Sequence, residues 1–552
     1  MKRTFLFSAL AASMLGAMAQ GGYQDGIDYF KADYPEEAAI ILTKTINDSS
    51  ADKALSYYYL GAIDLRKNDK AAALANFDKG IAANPQCGYN YIGKGQIELL
   101  NGNESAAEKL FKQGISSDKK EKGALCAAVA RAYFNVNPIK YAKLANMLSI
   151  LLLFKKIEKY IADGDKASKF KESDLFVLRG DMVVNNAGES AGQYETAIVT
   201  DEEVGAPVSP EAYVKYARVY FHVNPEYAIN KLIELNKKLP NSALAQRELA
   251  EKYYDNNQLT LAAEQYGKYM SNPNHFERDE QRYSGLLFFG KKYAKSLEIA
   301  EKVLAKNPDN FYMQRMVMYN LYELKCYDKA EAAAKKFFAM VPKDQIQPKD
   351  YEYEGDILME LKQYEAAVEA YKQCETAFPD RTDILDELAA AYNSASQFEL
   401  AAKTMQRFID TGDRSLNDLW DCADYYKNWG LSLPEGSEER AAAAAAGIKV
   451  IDQAIERQPK AGQLYRTKSQ LFQVGNATPN MEAADAYKKM IECYEAAGEK
   501  EKRQAQIVSG LMYIGSYYAA NKDMESARSY YQQALDLDPS NEGLAKYIQT
   551  LK

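Results

Sequence analysis

The chain has 552 residues and sets 69 Lys/Arg against 77 Asp/Glu, a formal net charge of −8. An acidic balance without a basic footprint excludes nucleic acid as the expected partner. Its 2 histidines, His222 and His275, and its 6 scattered cysteines form none of the short-spaced pairs that mark a metal site, so no cofactor is expected.

In chain order, Lys2 and Arg3 precede an apolar run from Phe5 to Met18, and Ala17-Met18-Ala19 meets the small-x-small cleavage rule. Residues 1–19 therefore read as a secretory leader, too short for a membrane span. No cysteine stands at the cut, so export without a lipid anchor is the expectation, in the periplasm or beyond.

A helical rhythm then begins and recurs. Gly26, Tyr29, Ala38 and Leu42 open it. Tyr57, Leu60, Gly61, Ala73, Phe77, Gly80 and Pro85 repeat it, followed by Tyr91, Gly95, Ala107, Phe111 and Gly114, then by Ala130, Tyr133 and Ala142. Small residues at fixed offsets let two helices approach, while an aromatic ring fills the space between them. Such a hairpin cannot bury its own apolar face, so copies must stack beside it.

From Lys143 to Pro210 the spacing slips, and residues 189–210 are acidic and contain Gly and Pro. They suit a long loop and a boundary between an N-terminal block, 20–204, and a C-terminal block, 205–552. Leu148 to Phe154 is apolar for only seven residues and reads as buried helix.

The register returns with Ala217, Tyr220 and Pro240, then Leu249, Ala250, Tyr253, Ala262 and Tyr266. Ser284, Ser296 and Pro308 form a degenerate copy. Ala330, Phe337 and Pro342 follow, then Gly355, Ala367, Tyr371 and Pro379, then Leu388, Ala389, Tyr392, Ala401 and Met405. A unit opening at Leu419, Ala423 and Tyr426 is interrupted by residues 431–440 before six alanines, Ala441 to Ala446, restart its second helix. Ala483, Tyr487 and Met490 precede the clearest copy, Gly515, Tyr518, Ala527, Tyr531, Ala534 and Pro539.

This pattern resembles the tetratricopeptide repeat family: small and aromatic residues on a first helix, Ala-aromatic-Ala on a second, and a closing Pro. The resemblance implies an all-α, right-handed superhelical solenoid of about a dozen helix-turn-helix repeats. Its concave face, lined by the first helices, binds a partner protein or peptide, with no catalysis. With the leader, the chain is similar to exported bacterial members of the Bacteroidota type, which implies contact with envelope or outer-membrane proteins. The Lys/Asn set with which chaperone-binding members hold a terminal carboxylate is not found.

Gly285 to Lys291 fits the phosphate-loop spacing, but Lys292 stands where Ser or Thr must follow and no strand precedes it. It reads as a helix end with Gly290 as its stop. The histidines read as structural, His222 at a helix end and His275 in a loop. Cys374 occupies a small slot and reads as packing.

In the family, the residue after the small slot and the one three further on tend to face the groove. Those positions, with the turn before them, give Arg131, Phe134, Arg218, Phe221, Arg247, Tyr254, Arg315, Tyr319 and Tyr322 as partner-binding candidates. Glu352, Asp356, Asp383, Asp386 and Asp424 hold equivalent positions later, so the groove would run from basic-aromatic to acidic. The competing reading is that these are solvated helix faces. A second functional reading is a glycan-binding module in which aromatic rings stack on sugars. Replacing Arg218 and Arg315 by Ala is expected to weaken partner capture without changing stability.

Overall fold

The computed structural model describes residues 22–136, 147–412 and 414–551, and these hold 29 α-helices and no strand. The leader-like residues 1–19 and Ala142 lie outside them. The first helices are α1 (Tyr23–Lys31), α2 (Pro35–Thr45), α3 (Lys53–Arg66), α4 (Lys70–Ala83), α5 (Gly88–Leu100), α6 (Glu104–Ser117), α7 (Lys122–Val136) and α8 (Met147–Ser168). Next come α9 (Ser173–Met182), α10 (Ala187–Val204), α11 (Pro210–Tyr220), α12 (Pro225–Lys238), α13 (Ala243–Asp255), α14 (Leu259–Tyr269), α15 (Asp279–Phe289) and α16 (Tyr293–Lys306).

The remainder are α17 (Phe311–Glu323), α18 (Tyr327–Met340), α19 (Pro348–Glu360), α20 (Tyr364–Ala377), α21 (Ile384–Ser394), α22 (Phe398–Asp410) and α23 (Leu416–Ser432). The chain closes with α24 (Glu438–Arg457), α25 (Gly462–Gly475), α26 (Met481–Ala496), α27 (Gln504–Ala520), α28 (Met524–Leu537) and α29 (Glu542–Thr550). Odd-numbered helices up to α27 are the first members of hairpins, and α29 follows the last pair. Neighbouring first helices pack on one another as well as on their partners.

The small slots explain the hairpins. A Cβ on Gly61 would lie 2.5 Å from the Phe77 ring, on Gly95 2.4 Å from Phe111, and on Gly355 2.3 Å from Tyr371. Each glycine stands sixteen residues before its ring, so one turn length serves all three. Phe77, Phe111 and Tyr371 are buried to within 2%. Burying such a ring contributes about 1.5–3 kcal/mol. The degenerate copy substitutes hydrogen bonds for the ring: Ser296 donates to the Ser284 carbonyl at 2.8 Å, and Ser284 to that of Ser296 at 3.0 Å.

The turns are as regular as the slots. Asn68, Gly102, Asn257, Lys291, Lys325, Lys362, Ser396 and Lys522 all take a left-handed backbone, φ between 56° and 80°. In each, the next amide reaches back to a carbonyl five residues earlier, as Gln363 does to Leu358 at 2.8 Å, which satisfies the frayed end of the first helix.

Several expectations are corrected. The acidic stretch 189–210 is mostly helix α10, bounded by an Asn186 cap on the Glu189 amide and by left-handed Gly205. Its carboxylates sit on a capped helix whose other side buries Ala191, Tyr194 and Ile198. Gly180 receives the Tyr194 ring as other glycines do, but over fourteen residues rather than sixteen, which hides the repeat. Leu148 to Phe154 is helical, yet Leu151 and Leu152 are 53% and 55% exposed. At the phosphate-loop lookalike the helix ends as expected, but Gly290 keeps φ −78° and Lys291 supplies the left-handed turn.

The chain divides into two compact units, one ending at Val303 and one beginning at Leu304. The boundary expected at 204/205 coincides with the short α10–α11 connection within the first. In the first unit, α1 packs on its own neighbours α2 and α3 and also against α11 and α13, first helices of the sixth and seventh hairpins. Tyr29, Tyr213, Ala245 and Phe276 share one hydrophobic cluster as a result.

Candidate partner-binding face

The candidate residues fall on the first helices, apart from Phe221, which caps the end of α11, and in the first unit that face is partly covered by the chain itself. Arg131 on α7 pairs with Asp181, which also accepts from Lys215 at 2.8 Å and from the Tyr194 hydroxyl at 2.7 Å. Burial alone would raise the Asp181 pKa, but Arg131 and Lys215 outweigh it and hold the group at about 2. Phe134 stands 6.0 Å from the Arg131 guanidinium. Lys31, arriving on α1, bonds Asp174 at 3.0 Å and lies 4.0 Å from Glu211.

Two arginines meet the first hairpin directly. The Arg218 and Arg247 guanidinium groups lie 4.7 and 5.1 Å from the centre of the Tyr34 ring, and the Tyr34 hydroxyl bonds Glu248. Arg247 is buried and spends its donors on Asp279, 2.8 Å from Nε to Oδ2. Phe221 is buried under the Lys252 ammonium, while Tyr254 stays 40% exposed beneath Arg282.

In the second unit, Arg315 is buried against Asp350, which also accepts from Tyr319 at 2.7 Å. Tyr319 stacks on Tyr353 at 3.9 Å between ring centres, and Tyr322 meets Tyr353 edge-on at 5.2 Å. Thus Arg247, Arg315, Tyr319 and Phe221 are interior groups that tie successive repeats together. The others keep solvent-accessible surface. The rings pack edge-on, stacked, or under cations rather than lying open in a row.

The later acidic positions behave differently. Asp356 accepts from Tyr371 at 2.7 Å, and burial raises its pKa. Glu352 is held by Arg381 and Lys349, and Asp383 by Arg381. Asp386 and Asp424 remain half-buried on α21 and α23, Asp424 paired with Lys427 one turn on, with Tyr425 beside them. Burial first, then Asp421, Asp424 and Asp386, pushes the Tyr425 hydroxyl up to about 12. Asn428 donates to Asn393 at 3.1 Å, which places these two helices' side chains on one face.

A recurrent pairing escaped the sequence reading. The residue after the small slot accepts the hydroxyl of the slot's tyrosine: Asp181 from Tyr194, Glu251 from Tyr266, Asp356 from Tyr371. Arg247–Asp279 and Arg315–Asp350 also join neighbouring repeats. Opposite charges about one repeat apart were the available signal. Tyr34, Glu37 and Asp25 reaching across the first unit left none.

Models of the tetratricopeptide repeat match residues 54–121, 354–381 and 511–541. The chain carries tetratricopeptide repeats. Two matched copies centre on the Gly61–Phe77 and Gly95–Phe111 pairs, and the others contain Gly355 with Tyr371 and Gly515 with Tyr531. Among curated proteins none matches the sequence. Among solved structures, the C-terminal part of a tetratricopeptide repeat protein from Cytophaga hutchinsonii is 22% identical, covering 48% of this chain and 98% of that one, with TM-score 0.40. A tetratricopeptide repeat protein from Parabacteroides merdae is 13% identical, with coverages of 50% and 97% and TM-score 0.30. Yeast Tom70 is 13% identical, with coverages of 96% and 98% and TM-score 0.29.

Among the described residues no helix is long and apolar enough to cross a membrane, and no three metal-ligating side chains cluster. Of the 6 cysteines, all free, Cys126, Cys374, Cys422 and Cys493 are buried as packing residues. His275 lies in a loop, its Nδ1 2.6 Å from the Asn272 carbonyl.

Proposed function

We propose that the protein is an exported, non-enzymatic repeat scaffold that binds a partner protein or extended peptide along the first-helix face of its second unit. One observation carries this reading. Tyr322, Asp386, Asn393, Asp424, Tyr425 and Asn428 retain solvent-accessible surface on that face, whereas in the first unit the chain's own first hairpin packs against α11 and α13 of the corresponding face. A half-buried row of carboxylates, amides and phenols offers hydrogen bonds to a backbone and charge to basic side chains. The leader-like residues 1–19 support an envelope setting, with outer-membrane proteins among the candidate partners.

The test compares the mature chain, residues 20–552, with a variant carrying Asp386→Lys and Asp424→Lys, both as bait in envelope extract. A protein captured by the first and lost by the second, at unchanged melting temperature, supports the reading. Equal capture overturns it, and retention of both on a glycan array instead moves the reading to sugar binding.

A further inference from the structure

The first hairpin, α1 and α2, holds a position that its own stack does not require. It follows the repeat rule internally, with Gly26 against Leu42, and it packs on α3. Yet its polar side chains are spent some 140 to 250 residues away. Lys31 bonds Asp174, Asp25 accepts from Asn274 at 2.7 Å, and Arg278 bonds Glu37. Tyr34 lies between Arg218 and Arg247.

The chemistry of this contact is asymmetric. The hairpin contributes an aromatic ring at a helix start and a carboxylate three residues on, Tyr34 and Glu37. The receiving face contributes guanidinium groups: Arg278, with a side chain 52% exposed, and Arg218, 30% exposed. Arginine is suited to this double task, because its plane stacks on a ring while its edge bonds a carboxylate. The partners on the hairpin side are desolvated, Glu37 with a side chain 6% exposed and Tyr29 packed edge-on against Phe276 at 5.3 Å between ring centres, so the face recognises its occupant by ring and carboxylate together.

The connection permits exchange. Residues 46–52 are mostly exposed, and α3 begins with a cap of its own, the Asp52 carboxylate on the Leu55 amide at 2.9 Å. Removal of α1 and α2 from the face therefore leaves the following helix properly started.

We propose that the face formed by α11, α13 and the start of α15 is a binding surface for an acidic helix that begins with an aromatic residue, and that residues 23–45 are its built-in occupant. An external helix of the same chemistry competes with the hairpin. This surface is separate from the face of the second unit.

The probe is a fluorescent synthetic peptide of residues 22–46, added to the full mature chain and to a chain carrying Tyr34→Ala with Glu37→Lys, which loosens the hairpin. The expected result is about tenfold or more tighter binding to the loosened chain, since the free face is then more populated. Adding Arg278→Glu to that chain abolishes the binding. Equal binding to both chains, or binding to neither, overturns the proposal. Hydrogen exchange on the unaltered chain gives a second reading: buried amides of α1 and α2 exchange well before those of α11 and α13. Exchange of both sets in step shows a fixed closure and also overturns it.

Discussion

Arg315 and Asp350 lie 35 residues apart and meet in a two-point ion pair, Nε to Oδ1 at 2.6 Å and Nη2 to Oδ2 at 2.8 Å. The same guanidinium donates to the Gln345 carbonyl at 2.8 Å, and Tyr319 donates to the same carboxylate. Removing one partner leaves a buried charge alone, which costs roughly 3–5 kcal/mol. Arg315→Ala therefore lowers the melting temperature markedly, contrary to the expectation of a neutral groove variant. A double-mutant cycle with Asp350→Ala should show coupling; strictly additive losses would count against the pair.

The small slots give a contrast within one protein. Gly355→Ala puts a Cβ 2.3 Å from the Tyr371 ring, and overpacking of this kind costs about 1–3 kcal/mol. Gly192→Ala, on α10 with nothing within 4 Å, removes only backbone freedom and gains about 0.5–1 kcal/mol. Denaturant melts of the two variants should move in opposite directions.

The left-handed turns predict a stabilisation. Lys325 and Lys362 both hold φ 58°, a conformation that costs a residue with a Cβ roughly 1–2 kcal/mol. Replacing either with Gly should raise stability by about 0.5–1 kcal/mol after the extra flexibility of the unfolded chain is counted. Unchanged midpoints for both would contradict the argument.

The first hairpin predicts a pH dependence. Burial raises the Asp28 pKa to about 7; Gln24 and Lys31 oppose this, and Asp25 and Glu211 add to it. Asp25 is pushed up to about 6 by burial, with Asn274 opposing. A carboxyl raised in the fold stabilises it below the ordinary carboxylate range, and this contribution is lost as pH rises to 6–7. Asp28→Asn should leave the melting temperature nearly unchanged at pH 3, raise stability progressively as pH climbs from 4 to 7, and reach a gain on the order of 4 kcal/mol at pH 8. Asp181 has the opposite sign, since its depressed pKa stabilises above the carboxylate range and is lost as pH falls towards 2.

Much of the fold was legible because the repeats are local. Gly61 and Phe77 meet within one hairpin, and any chain with those residues at that spacing and a tight turn brings them together. The Gly180–Tyr194 hairpin was missed because its turn is two residues shorter, so a fixed-period reading lost it. Helix α10 is hidden in the sequence because its carboxylates and the Gly205 and Pro210 that follow have the composition of a loop, while its start rests on a single cap, Asn186.

The sequence by itself determined the all-α class, the hairpin unit, its small and aromatic slots, and which residues lie on first helices. Those are properties of neighbours within some forty residues, where loop closure costs little entropy. Only the tertiary structure decided which of those residues are free. Arg247 and Arg315 stand one turn before the register of Arg131 and Arg218 on the first helices, and their burial depends on Asp279 and Asp350 in the next repeat. The occupation of the first unit's face depends on how that unit curves, since curvature brings Tyr34 to Arg218 across 184 residues. Curvature accumulates from small packing differences at each hairpin, and no single residue in the sequence records the sum.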